Sequence, residues 1–256
     1  MTDTPRRHSN AAVRTALAVL VSLVPLSGAA QAQTGEAASK NLTLLGIPSG
    51  TVAPRGLAFG SLSLTDNRVG PGPREDGSLA FGLGFGSAET GVGVQLTAFI
   101  TSLTDDFGDS GYFEIKASRR IMDGQSPTYV ALTLGGAGFG DASGRDTSAT
   151  LALTSFRQIR FSDSGPVYPV MFTLGAGTNE RNLERDPAIF GGVGIGVSKN
   201  LGLSVAWSGE YVNLGAALRF DDFENFGMTA TLHDAFDQED SRRFDVSFTY
   251  FLKDLF

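Results

Sequence analysis

The sequence predicts an all-β protein, a transmembrane antiparallel up-and-down β-barrel of about 12 strands. Three observations carry that expectation. Stretches of about ten residues place apolar side chains at every second position, the period of a strand and not of a helix. Gly, Asp, Asn, Ser and Pro separate the stretches, and these are the residues of tight turns. Acidic residues gather between the stretches, which leaves apolar bands of the length that a tilted strand needs to cross hydrocarbon.

Taken in order, the chain opens on a targeting pattern. Arg6, Arg7 and Arg14 precede a largely apolar run from Thr15 to Leu26, and small residues then lead to Ala30-Gln31-Ala32. Basic, apolar and small segments in that order predict a cleavable signal peptide over 1–32, the apolar run being too short to span a membrane as a helix. The Arg6-Arg7 pair lacks the surroundings of a twin-arginine signal, so export by the general secretion route is expected. Residues 33–55 are expected to be a periplasmic leader or a plug segment, with Pro48, Gly50 and Pro54 punctuating its second half. Residues 56–256 are expected to form the barrel.

Twelve periodic stretches follow, at 56–64, 77–85, 91–102, 111–121, 128–138, 146–158, 169–177, 188–198, 200–208, 210–220, 225–234 and 241–252. In the third, Val92, Val94, Leu96, Ala98 and Ile100 share a face opposite Gly93, Gln95 and Thr97. The fourth sets Phe113, Ile115 and Ala117 against Glu114, Lys116 and Ser118, and the tenth sets Val212, Leu214, Ala216 and Leu218 against Asn213, Gly215, Ala217 and Arg219. The last places Phe244, Val246, Phe248, Tyr250 and Leu252 opposite Asp245, Ser247 and Thr249.

A soluble sandwich also alternates, but it turns Lys, Glu and Thr to water on its outer side. Here the non-apolar side is mostly Gly, Ser, Thr and Ala, most plainly in Ile189-Phe190-Gly191-Gly192-Val193-Gly194-Ile195-Gly196-Val197. An even strand number returns both termini to one side and closure removes the unpaired edges that lipid would not tolerate. Odd connections, near 65–76, 103–110, 139–145, 178–187, Ser208-Gly209 and 235–240, would then face outward. Without 1–32 the chain keeps 17 of its 20 basic and 26 of its 27 acidic residues, a net charge of −9. That balance argues against nucleic acid as a partner. With no Cys there are neither disulfides nor thiolate metal sites. No cofactor and no metal are expected; the acidic run Asp105-Asp106-Phe107-Gly108-Asp109 lacks the spacing of an EF-hand loop. The glycines at 135, 136, 138 and 140 precede no helix that could make a phosphate loop.

The chain ends in Phe256, and Phe248, Tyr250 and Leu252 share its parity. This resembles the C-terminal recognition signal of bacterial outer-membrane β-barrel proteins, from which Asp254 departs. The resemblance implies residence in the outer membrane of a Gram-negative bacterium, with outer-membrane lipid and the barrel-assembly machinery as partners. Gly46-Ile47-Pro48-Ser49 is similar to the leading segment of outer-membrane barrels associated with exopolysaccharide production, which implies a polysaccharide role.

Parity selects the lumen-lining candidates as Gln95, Glu114, Lys116, Arg120, Asn213, Arg219, His233 and Asp245. Their charges could form a constriction that selects solutes, or could pair internally and fill the lumen. Small inner residues such as Thr173, Gly175, Gly192, Gly194, Gly196 and Ser204 leave space. They favour a narrow water-filled path unless Asn41 to Arg55 folds in as a plug. The expected role is passive passage of small solutes through a narrow channel. The alternatives are an occluded structural or envelope-associated barrel and a lipid-modifying enzyme. The enzyme reading is disfavoured, because His233 shares the inner face with Thr229 and Thr231 and no serine is singled out as its nucleophile.

Overall fold

The computed structural model describes residues 40–67, 75–104, 107–178 and 186–256. The expected signal peptide and the leader before Lys40 lie outside the described residues. Within them the chain forms twelve antiparallel strands: β1 (Ala58–Thr65), β2 (Asp76–Gly86), β3 (Gly93–Ile100), β4 (Ser110–Met122), β5 (Thr128–Gly140), β6 (Ser148–Arg160), β7 (Val167–Gly177), β8 (Ala188–Gly196), β9 (Leu201–Trp207), β10 (Val212–Phe220), β11 (Phe223–His233) and β12 (Arg243–Leu252). Each strand pairs with its neighbours in sequence, and β1 pairs with β12 from Ala58↔Leu252 to Thr65↔Asp245, so the barrel is closed. One short 3-10 turn, Asp141–Gly144, follows β5.

Most strand ends fall within two residues of the periodic reading, and the shifts that open β10 and β11 have local reasons. The tenth strand begins at Val212 because Ser208 and Tyr211 close a turn, with the Ser208 amide donating to the Tyr211 carbonyl at 3.0 Å. The eleventh begins earlier, at Phe223, where the β10–β11 register shifts between Arg219 and Phe220 and lets Phe220 pair with Phe223.

Alternation decides which side chain meets which solvent. On the outer surface Leu132, Leu151, Leu174, Val193, Leu203 and Val205 are exposed, while their inward neighbours Thr133, Ala152, Thr173 and Ser204 are buried. A continuous apolar band of this kind would be a liability in water and is what a lipid-facing wall requires. Rings cluster at the end that carries β1's start and β12's finish, the near end. Phe85 stacks on Phe256 at 5.6 Å between centroids, Phe220 meets Phe226 at 6.0 Å and Phe161 meets Tyr168 at 5.4 Å. Aromatic girdles of this type mark a membrane–water boundary.

The principal apolar core lies inside the barrel. Leu44 and Ile47, from the segment before β1, pack with Tyr129, Ala152, Phe156, Met171, Phe190 and Ala206. A smaller cluster at the near end joins Ala53 and Leu57 to Phe251.

Val205→Arg should lower the unfolding free energy by about 2–4 kcal/mol, the penalty for a charge on the lipid side near mid-membrane. Urea titration of the protein folded into phospholipid vesicles measures this, and a near-zero change would show that Val205 does not face lipid.

Candidate functional site: the occupied lumen

The lumen has to be read together with residues 40–57, which carry no regular secondary structure and yet are largely buried. A backbone without a strand or helix ladder must find its hydrogen bonds elsewhere when it leaves water. Here the inward side chains of the wall supply them. Near β8–β10, the Asn41 amide N–H donates to the Ser198 carbonyl at 2.7 Å, and Asn41 Nδ2 donates to the Ala217 carbonyl at 3.0 Å. Further along, the Leu45 amide donates to Ser204 Oγ at 3.2 Å, and Asn213 Nδ2 donates to the Gly46 carbonyl at 3.1 Å. The segment then crosses to the other wall. The Gly50 amide donates to Thr154 Oγ1 at 2.7 Å, Ser118 Oγ donates to the Gly50 carbonyl at 2.6 Å, and the Ala53 amide donates to Gln95 Oε1 at 2.9 Å. It leaves the lumen at the near end, where the Gly56 amide donates to the Gly84 carbonyl at 3.1 Å.

This path explains the small inward residues of β8 to β10. A Cβ at Gly194 would lie 1.7 Å from the Thr43 carbonyl oxygen, so backbone occupies the place of a side chain. The space that the glycines leave is filled by the chain itself on that wall. At the top of the path Gly46 has φ +82°, and a Cβ there would come within 2.8 Å of the Asn213 side chain. Glycine is required on both counts.

The sequence-predicted candidates divide by position. Gln95 is buried and serves the segment, taking the Ala53 amide and donating to Thr97 Oγ1 at 3.1 Å. Lys116, 1% exposed, reaches Ser49 Oγ at 3.4 Å with Glu114 as its charged neighbour. Asn213 and His233 are both fully buried and in contact, with His233 Nδ1 at 3.2 Å from Asn213 Oδ1. His233 Nε2 lies 2.9 Å from Asp245 Oδ2. Two candidates stand away from this group at the near end. Arg120 pairs with Asp123 at 2.6 Å in the β4–β5 turn, and Arg219 sits beside the β8–β9 turn, its amide donating to the Asn200 carbonyl at 2.9 Å. The charges therefore form no single ring. At the C-terminus, Tyr250 and Leu252 face outward and Phe256 stacks on Phe85, while the Leu255 amide donates to the Gly56 carbonyl at 3.0 Å.

Parity reasoning passed over Arg243 although it shares a face with Asp245. It is buried beside His233, its cross-strand partner, and its Nη2 donates to the Tyr211 hydroxyl at 3.0 Å. Neither ring nitrogen of His233 meets a hydroxyl, so the contacts of a Ser–His pair are not made there. Among the described residues no group of three or more His, Cys, Asp or Glu is placed to hold a metal ion.

The wall opposite the segment differs. Ser61, Ser63 and Thr65 of β1 and Ser78 and Ala80 of β2 face inward yet remain only half-buried, whereas Gln95, Thr97 and Phe99 of β3 are sealed. Ser61 Oγ and Thr249 Oγ1 are 2.9 Å apart and Ser63 Oγ and Ser247 Oγ 2.6 Å, so the half-buried hydroxyls of β1 lean on sealed hydroxyls of β12.

At the far end the loop after β11 is organised by Asp234. Burial raises its carboxyl, but the amides of Gln238, Glu239 and Ser241 and the Ser241 hydroxyl outweigh that effect and hold it below the ordinary aspartate value. A depressed carboxyl stabilises the folded loop above the unfolded value, about 3.9. That stabilisation is lost as pH falls through the folded value. Hydrogen exchange at Gln238, Glu239 and Ser241 should therefore accelerate on acidification, beyond the intrinsic rate, in the wild type. Asp234→Ala should be unprotected at every pH; equal protection in the two proteins would remove the carboxylate from this role.

No protein family matches the sequence, and neither does any curated protein. Solved structures do resemble it in fold. The KdgM porin, solved in complex with disordered oligogalacturonate, is 12% identical with a TM-score of 0.47, covering 76% of this chain and 98% of its own. The outer-membrane protein Omp33 of Acinetobacter baumannii is 10% identical with a TM-score of 0.43, covering 76% of this chain and 96% of its own. The COG4313 outer membrane channel of Pseudomonas putida F1 is 11% identical with a TM-score of 0.45, covering 78% of this chain and 97% of its own.

Proposed function

We propose that the protein is an outer-membrane channel for small polar solutes, and that solutes pass along the hydroxyl-lined strip of β1 and β2 beside the internal segment. The observation that carries this reading is the asymmetry of burial. Inward side chains of β3 to β12 are mostly sealed, while Ser61, Ser63, Thr65 and Ser78 of β1 and β2 stay partly accessible. A lipid-facing outer wall around a polar inner strip is the arrangement of a passive pore. The role needs no cofactor and no catalytic group. Export through the general secretion route after loss of 1–32, and recognition by the barrel-assembly machinery through Phe248, Tyr250, Leu252 and Phe256, complete the proposal.

A second reading is favoured by one specific observation. Leu44 and Ile47 make an apolar core with the wall, and such packing costs several kcal/mol to undo. In that reading the lumen stays shut and the barrel is structural, with envelope or exopolysaccharide partners at its loops.

Single-channel recording on the refolded protein in a planar bilayer separates the two. Wild type should give small discrete steps, and Ser63→Trp, which places a large ring in the strip, should reduce them several-fold. A wild-type protein that inserts but never conducts would leave the structural reading in its place.

A further inference from the structure

The half-buried strip has a floor. Towards the near end the inward side chains of β1 are Thr65, Ser63, Ser61 and then Phe59, and the inward positions of β2 are Ser78, Ala80, Gly82 and Gly84. Partial exposure persists from Thr65 to Ser61 and from Ser78 to Ala80. It ends at the next row, where Gly82 and Phe251 are buried on either side of Phe59. Gly82 pairs with Phe59 and Phe59 with Phe251, so the row is continuous across β2, β1 and β12.

The two rings lean away from their own strands. A Cβ on Gly82 would stand 2.2 Å from the Phe59 ring, so glycine there makes the room that the ring fills. On the other flank the Phe251 ring reaches β11, 3.5 Å from where a Cβ on Gly227 would be. Phe59 packs on a cluster of Ala53, Leu57 and Phe251, and over Gly84 the backbone of the internal segment closes in, 2.3 Å from a Cβ there to the Pro54 carbonyl oxygen. Beyond Ser61, Ser78 and Thr249, β1, β2 and β12 turn no further hydroxyl inward before the near end. The hydroxyl strip therefore abuts an apolar collar.

We propose that Phe59, together with Phe251, is the gate of this path, a collar that bars polar solutes in the strip from the near mouth until the rings turn aside. What passes rests on the channel reading; where the strip stops rests on the burial pattern alone. A solute that leaves Ser61 for the collar gives up its hydrogen bonds, and an apolar constriction shuts by losing its water. Within the collar Phe59 is the part free to move. Ala53 and Leu57 are held by their backbones, the Ala53 amide on Gln95 and the Leu57 carbonyl on the Gly84 amide at 2.9 Å. The Phe59 ring is only half-buried and is held by packing.

The chain has no cysteine, so Ser63→Cys gives a unique thiol in the strip. The protein carrying it is refolded into vesicles and labelled with a membrane-impermeant maleimide, either outside or trapped within. The two reagents meet opposite mouths, and proteolysis of the far-end loops reports which mouth faces out. With Phe59 in place, labelling from the far mouth should exceed labelling from the near mouth roughly tenfold, the factor that one unmade hydrogen bond imposes on a polar reagent. Phe59→Ala should bring the two rates together. Phe59→Leu, which keeps an apolar side chain and serves if the alanine variant does not fold, should lower the ratio in part. Equal rates with Phe59 present would overturn the gate, as would a ratio that neither variant moves. A thiol reached from neither mouth would remove the strip and the gate with it. Conductance recorded in parallel tests the channel reading by itself. Equal labelling from both mouths of a conducting wild type would keep the channel and discard the gate, whereas steps seen only in Phe59→Ala would keep the gate and show the wild-type barrel to be shut.

Discussion

An irregular stretch of backbone inside a membrane barrel is tolerable only if the amides and carbonyls it buries find partners away from lipid, and much of this structure follows from that requirement. Ser204, Asn213, Thr154, Ser118 and Gln95 stand on five different strands and each meets one backbone group of residues 45–53. The wall is thus polar where the segment is polar. Where the segment presents Leu44 and Ile47, the wall answers with Phe156, Met171 and Phe190. The barrel is a folded core turned outside in, with its apolar exterior left to lipid and its most specific packing at the axis.

The same requirement distributes charge. Full burial of an ion is costly unless it is paired or hydrogen-bonded. Lys116 is buried against Ser49 and has Glu114 for a neighbour, and His233 is buried against Asp245. By contrast Arg120 and Lys199 pair with Asp123 and Asp221 in near-end turns, where water is available and such pairs contribute little. The ionisable groups that contact the internal segment or its anchor are therefore few, and they converge on residues 46–49.

Much of the barrel was legible from sequence because each strand is a local pattern. Period two, turn residues and the siting of acidic residues each report on neighbours in the chain. The division of labour among the lumen-lining candidates was not legible. Nothing in the alternation distinguishes Asn213, which anchors Gly46, from Arg219 on the same face of β10, since the difference is set by a segment some 170 residues away. The glycines of β8 could equally have meant open space or a close backbone approach, and only the course of residues 41–47 decides between them. Arg243 escaped because it begins its strand, where the periodic signal is weakest, although its parity with Asp245 was available.

The pairing of β1 with β12 joins residues as distant as Ala58 and Leu252, and the segment it follows lies within the ring thus formed. The order of assembly is constrained accordingly. Residues 41–57 lead directly into β1, so they have to be inside, or pass inside, as that seam zips shut. Contacts between such remote parts of a chain form slowly, because loop closure is paid before they are gained. A barrel built this way encloses its own leading strand of chain as it completes itself, and a maturing molecule whose seam shut early would be left with the glycine-lined wall bare and the segment stranded outside.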